Sequence, residues 1–189
     1  MEQELKEFEQ EILLKIARDA IEKSVKGLPL QKLAIEELPP KLQDDGASFV
    51  TLTKHGNLRG CIGTLEAYQP LALDVQEHAV AAALQDPRFP RVKPEELTDI
   101  HVEVSVLSPK KVLHYSGPQD LIRKIRPKID GVVLQDGFLK ATFLPQVWDQ
   151  LEKPELFLSH LCAKMGGSSD LWRKKPLQVY TYQVQKFHE

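Results

Sequence analysis

Two runs of alternating residues joined by a cluster of turn formers constrain this chain more than any other feature. Ser48 to Thr53 is rich in β-formers, Lys54-His55-Gly56-Asn57 supplies the turn, and Leu58 to Leu65 returns. Period two puts Leu58, Gly60, Ile62 and Thr64 on one face of the returning strand, and Arg59, Cys61, Gly63 and Leu65 on the other. The hairpin therefore predicts an arginine and a cysteine side by side.

The neighbouring segments read as helices and further hairpins. Residues 3–26 carry Leu5, Phe8, Ile12, Ile16, Ala20 and Ile21 at helical spacing, with Gly27 as a stop. Prolines 29, 39 and 40 mark a connection. Pro70 opens a helix to about Leu84 whose stripe of Leu71, Val75, Ala79, Ala82 and Ala83 lets it approach a sheet closely. Asp86-Pro87-Arg88-Phe89-Pro90 is a stiff loop, because two prolines fix the backbone within it. Ile100 to Leu107 alternates Val102, Val104 and Val106 against His101, Glu103 and Ser105.

The rest of the chain continues in that manner. A short helix is expected over 118–126. A second hairpin runs from Asp130 through the turn Gln135-Asp136-Gly137 to Leu144. Pro145 to Leu151 and Glu155 to Met165 read as helical, stopped by Gly166 and Gly167, and Leu177 to Phe187 as one final strand. Without a repeated βαβ rhythm, the pattern predicts an α+β fold with a largely antiparallel sheet and flanking helices. It is read as a single domain over 1–189, with a smaller lobe around 108–130.

Charge and cysteine content narrow the function classes. The formal net charge of −2 gives no overall field for nucleic acid or an anionic membrane. The basic run Arg123, Lys124, Arg126 and Lys128 reads as a solvated face. No apolar run is long enough to span a bilayer, and the acidic start Met1-Glu2-Gln3-Glu4 does not resemble a signal peptide, so a cytoplasmic location is expected. Cys61 and Cys162 form no CxxC pair, the six histidines show no ligand spacing, and neither GxxxxGK[ST] nor GxGxxG is present. No metal and no cofactor are expected.

The chemistry that remains centres on Cys61. A guanidinium beside a thiol stabilises the thiolate, which makes Arg59 its expected partner. Gly60 and Gly63 leave the backbone bare for a ligand, or mark only a bulge. Glu103, His101 and Asp86 are candidate bases. Arg88 can clamp a carboxylate or phosphate with Asp86 aiming it, or the two can simply pin their loop. Glu103 and Ser105 either contact a ligand or form a solvated face. Cys162 reads as core.

These stretches also resemble a known family. Gly46 to Leu52, Leu58-Arg59-Gly60-Cys61-Ile62-Gly63, Asp86-Pro87-Arg88-Phe89, Val104 to Leu107, Asp130 to Val133, Leu144 to Val147 and Phe157 to Lys164 are similar to the AMMECR family, also called AmmeMemoRadiSam system protein A. The chain departs from its pattern at Met165-Gly166-Gly167 and is shorter over Trp148 to Pro154. The resemblance implies two lobes with a cleft between them, and partnership with a Memo-like protein and a radical S-adenosylmethionine enzyme. Two functions follow. One is an enzyme or enzyme component acting on a small molecule or protein side chain, with Cys61, Arg59 and Glu103 catalytic and Gly60, Gly63, Asp86, Arg88 and Ser105 binding. The other is an adaptor that holds a partner peptide or modified group at the same strand.

Overall fold

The computed structural model describes residues 4–189, so the first residue of the helix expected over 3–26 lies outside it. That helix is α1 (Glu7–Val25). The Glu9 carboxylate caps its start by accepting the Lys6 N–H at 2.7 Å. Gly27, at φ +69°, ends it, with the Leu28 N–H returning to the Lys23 carbonyl. The buried stripe is Leu13, Ile16, Ala17, Ala20 and Ile21, with Leu5 joining the same core from just before the helix; of the residues expected on that face, Phe8 is exposed.

After a short helix α2 (Pro40–Gln43), strand β1 (Asp45–Lys54) pairs antiparallel with β2 (Asn57–Gly63). The turn between them is His55-Gly56, both at positive φ, which suits the right-handed twist of a two-residue hairpin. A two-residue strand β3 (Gln69–Pro70) leads into α3 (Leu71–Leu84), and β4 (Ile100–Leu107) pairs antiparallel with β1. With β9 (Val184–His188) the sheet order is β2-β1-β4-β9, and β3 pairs beside β1. Helices α1 and α3 cover one face, where Val50, Leu52, Val102 and Val104 join the helices' buried residues in one core.

Residues up to Ser108, together with Gln185–Glu189, form this first compact unit, and Pro109–Val184 forms a second. The smaller lobe read around 108–130 is thus part of a longer unit. It holds β5 (Lys111–Val112), α4 (Pro118–Lys124), β6 (Gly131–Asp136), β7 (Leu139–Phe143), α5 (Pro154–Lys164), α6 (Leu171–Lys174) and β8 (Gln178–Tyr182), with sheet order β5-β8-β6-β7. Its core stacks Trp148 on Phe157 at 3.7 Å and contains Cys162, whose thiol burial pushes upward in pKa. Three sequence expectations change here. The second hairpin turns at Gly137-Phe138, because Asp136 pairs with Leu139. Residues 145–149 form a 3-10 turn. The strand expected over 177–187 is two strands in different sheets, since no glycine or proline at Gln183 announces the break.

Close packing of α3 on the first sheet explains Gly60. A Cβ there would lie 2.2 Å from the Ala82 carbonyl oxygen, a backbone atom that cannot move aside. The alanine stripe and the glycine are two halves of one contact. Gly60→Ala is therefore expected to destabilise the protein by about 2 kcal/mol, seen as a lower urea midpoint at unchanged m-value. A variant as stable as the parent would show that this contact is loose.

Candidate functional site

Strand register decides which side chains meet Cys61. Cys61 pairs with Thr51, which pairs on its other side with Glu103, so the three form one row across β2, β1 and β4. The next row is Gly63, Phe49 and Ser105. Both rows lie on the face turned away from α3, because the alternate residues of β1, Val50 and Leu52, enter the helical core. Cys61 is free and half-buried, and the Thr51 hydroxyl donates to its sulfur at 3.2 Å. Glu103 is half-exposed beside Lys186, at 3.8 Å, and Ser105 is buried.

Arg59 does not turn toward the thiol. The register slips between Leu52 and Thr53, so Leu58 and Cys61, three apart, oppose Thr53 and Thr51, two apart. Arg59 is the extra residue of a β-bulge, and a bulge cancels the alternation that put it beside Cys61. Its Nε and Nη2 donate to the two Glu96 oxygens at 3.1 and 2.9 Å, and its Nη1 donates to the Pro90 carbonyl at 2.8 Å. Lys54 and the Lys93 N–H also bond Glu96. These donors, Arg59 first, hold the Glu96 carboxyl down at about 2.

The cation beside Cys61 is Arg88. Asp86, which is buried, accepts the Cys61 N–H at 2.8 Å and three bonds from Arg88, one from its N–H and two from its guanidinium. The same guanidinium donates from Nη2 to the Cys61 carbonyl at 3.1 Å. β2 is the outer strand of its sheet, and this clamp satisfies both outward groups of Cys61 as a further strand would. The Arg88 bonds, more than burial opposes, hold the Asp86 carboxyl far below the carboxylate range, which removes it as a base at neutral pH. The bonds to Asp86 raise the Arg88 pKa further above its already high ordinary value. Its side chain remains 55% exposed, against 2% for Asp86. Arg88 thus pins its loop, as one of the two sequence readings had it, and still keeps an exposed side chain.

The two glycines serve packing. Gly63 has no room for a Cβ, which would meet the Ser48 carbonyl at 2.3 Å and the Phe49 ring at 2.4 Å. His101 lies exposed two residues along β4 from Glu103, paired with Thr53. Sequence reasoning missed Thr51, whose place opposite Cys61 depends on register, and Glu96, which no local pattern links to Arg59. It also missed a buried cluster on the other face. There Ser48 donates to Asp74 Oδ2 at 2.6 Å, and His78 Nδ1 lies 3.2 Å from the same oxygen. Asp74 and His78 stand four apart on the apolar side of α3, a signal that was visible. Among the described residues no group of three or more His, Cys, Asp or Glu could hold a metal ion, and no helix is long and apolar enough to cross a membrane.

The fold and site thus define an α+β protein with a half-buried free thiol on an outer strand, clamped from a loop by an aspartate–arginine pair. The chain belongs to the AMMECR1 family, whose profile matches residues 14–187. It is 44% identical over 182 residues to a protein of Methanothermobacter thermautotrophicus, covering 94% of this chain and 92% of the relative. It is 36% identical to a protein of Methanocaldococcus jannaschii, over 93% and 88% of the two chains. The crystal structure of an uncharacterized protein from Pyrococcus horikoshii superposes with a TM-score of 0.81 at 34% identity, covering 98% of this chain and 93% of that one.

The Arg59–Glu96 pair makes a pH prediction. Glu96 titrates near 4.5 when unfolded and near about 2 in the fold, so its contribution is complete above pH 4.5 and disappears as the pH falls towards 2. Glu96→Gln is expected to lose on the order of 2 kcal/mol at neutral pH, with the gap to the parent closing on acidification. A gap that stays constant down the acid limb of a denaturation series would remove the ion pair from the account.

Proposed function

We propose that this protein is an enzyme, or a component of one, that uses the Cys61 thiol as a nucleophile toward a small molecule or protein side chain bearing a negative group. The observation that carries this reading is the guanidinium of Arg88, bonded to the backbone carbonyl of Cys61 and itself open to solvent, on the residue whose sulfur is free and partly exposed. A fixed cation there stabilises negative charge on a ligand or on the sulfur as it reacts. The Thr51 hydroxyl adds a donor to the same atom. Arg88 takes the role that sequence spacing assigned to Arg59, whose part is to hold the strand.

Glu103 extends the surface from Cys61, and Ser105, which is buried, lies one row further along the sheet. Glu103 stands two strands from Cys61, roughly 10 Å away, which is too far to take the thiol proton directly. The span suits a molecule that reaches Cys61 with one end and Glu103 with the other. The family resemblance supports a Memo-like protein and a radical S-adenosylmethionine enzyme as working partners. Their co-purification with this chain from a cell producing all three tests that association.

A non-catalytic adaptor is the second reading. It is favoured by the commitment of Arg59, Gly60 and Gly63 to packing, which leaves the polar rows of the sheet as a docking face. Cys61→Ser separates the two: the adaptor keeps its function in that variant, and the enzyme loses it.

The thiol site has a direct chemical test. Iodoacetate, which is anionic, is expected to alkylate Cys61 faster relative to neutral iodoacetamide than it does free cysteine. Arg88→Gln should lower that ratio about fivefold, and Arg88→Lys should largely keep it. Because both reagents meet the same sulfur, a general loosening of the fold cancels in the ratio. Buried Cys162 should label only after unfolding. A parent ratio equal to that of free cysteine sinks the proposal.

A further inference from the structure

We infer that the exposed surface of β5, α4 and the loop into β6 docks an acidic, partly apolar protein segment. Residues 109–130 hold six Lys and Arg against two Asp, a formal +4 in a chain whose total is −2, so all other residues together carry −6. The two acids are already engaged. Asp120 accepts the Ser116 N–H and pairs with Lys124 at 2.9 Å, and Asp130 is buried against Arg126. Arg123 is 76% exposed, with only a 3.7 Å contact to Asp120, and Lys111 and Lys128 are exposed.

These residues form one surface. Lys124 Nζ donates to the His114 carbonyl and so ties α4 to the segment leaving β5. β5 and β6 both pair with β8, and β5 is an outer strand of that sheet. Next to Lys128 in the chain stands an exposed apolar side chain, Ile129 at 49%, whereas Val112 alternates with Lys111 along β5 and lies on the opposite face of the sheet. Cations beside an exposed aliphatic group match a segment of carboxylates interspersed with apolar residues. Nucleic acid fits less well. Tyr115, the aromatic residue of the segment, is bonded to Leu177 through its hydroxyl and is not free to stack, and the −6 on the remaining residues repels a long polyanion.

Lys128 offers a clean probe. It holds φ +65°, a left-handed conformation that asparagine adopts more easily than lysine, so Lys128→Asn removes a charge without straining the backbone. The test is fluorescence anisotropy of the whole chain with a short labelled peptide of glutamates and leucines. The R123Q/K128N variant is expected to bind about fivefold more weakly than the parent. K15Q/K32Q, which removes the same charge from exposed positions in the first unit, should bind like the parent. Binding should also weaken as salt is added. Equal loss in both double variants overturns the inference, as does equal binding of a glutamine–leucine peptide. Tighter binding of single-stranded DNA or of phosphatidylserine vesicles than of the acidic peptide overturns it as well.

Discussion

The candidate site depends on one carboxylate. Asp86 takes the Cys61 N–H and three bonds from Arg88, while Arg88 returns a bond to the Cys61 carbonyl. An outer strand left with bare N–H and C=O groups invites pairing with another chain. Here two side chains two residues apart, separated by a proline, occupy those groups. The same contact holds a guanidinium against the backbone of the cysteine, so protection of the edge and placement of Arg88 are one interaction. Removing Asp86 would leave Arg88 without its orienting partner and Cys61 without its outer bond.

A second lock supports the first. Arg59 joins the bulge of β2 to Glu96 and to the carbonyls of Pro90 and Arg91. The connection from α3 to β4 is thus tied to the strand at both ends, by Asp86 and Arg88 near Cys61 and by Glu96 near Arg59. A loop fastened twice can present Arg88 in one orientation despite its exposure. The role proposed for Arg88 rests on such preorganisation, since a fixed charge needs little reorganisation to act. On the reverse face Gly60 seats α3 by backbone contact, which keeps β2 from shifting beneath the site.

Much of this was legible in the residues. The β1–β2 hairpin, the alternation of β4 and the alanine stripe of α3 all follow from local periodicity, and the structure has them. The α+β class followed from the order of those elements. The break between β8 and β9 did not, because an unbroken alternation contains no instruction to change sheets. Leu58 to Gly63 and its companion motifs carry the family from the residues alone.

Within the site, the chain by itself determined which residue types were available: a thiol between glycines, a rigid Asp-Pro-Arg loop, and polar residues alternating along β4. Their pairing was decided only in three dimensions. Period two is a local rule, and one inserted residue at Arg59 is enough to cancel it. Arg88 lies 27 positions from Cys61 and reaches it only because α3 folds back across the sheet and returns the following loop to the outer strand. Contacts of that separation depend on packing between elements, which periodicity along one element does not encode.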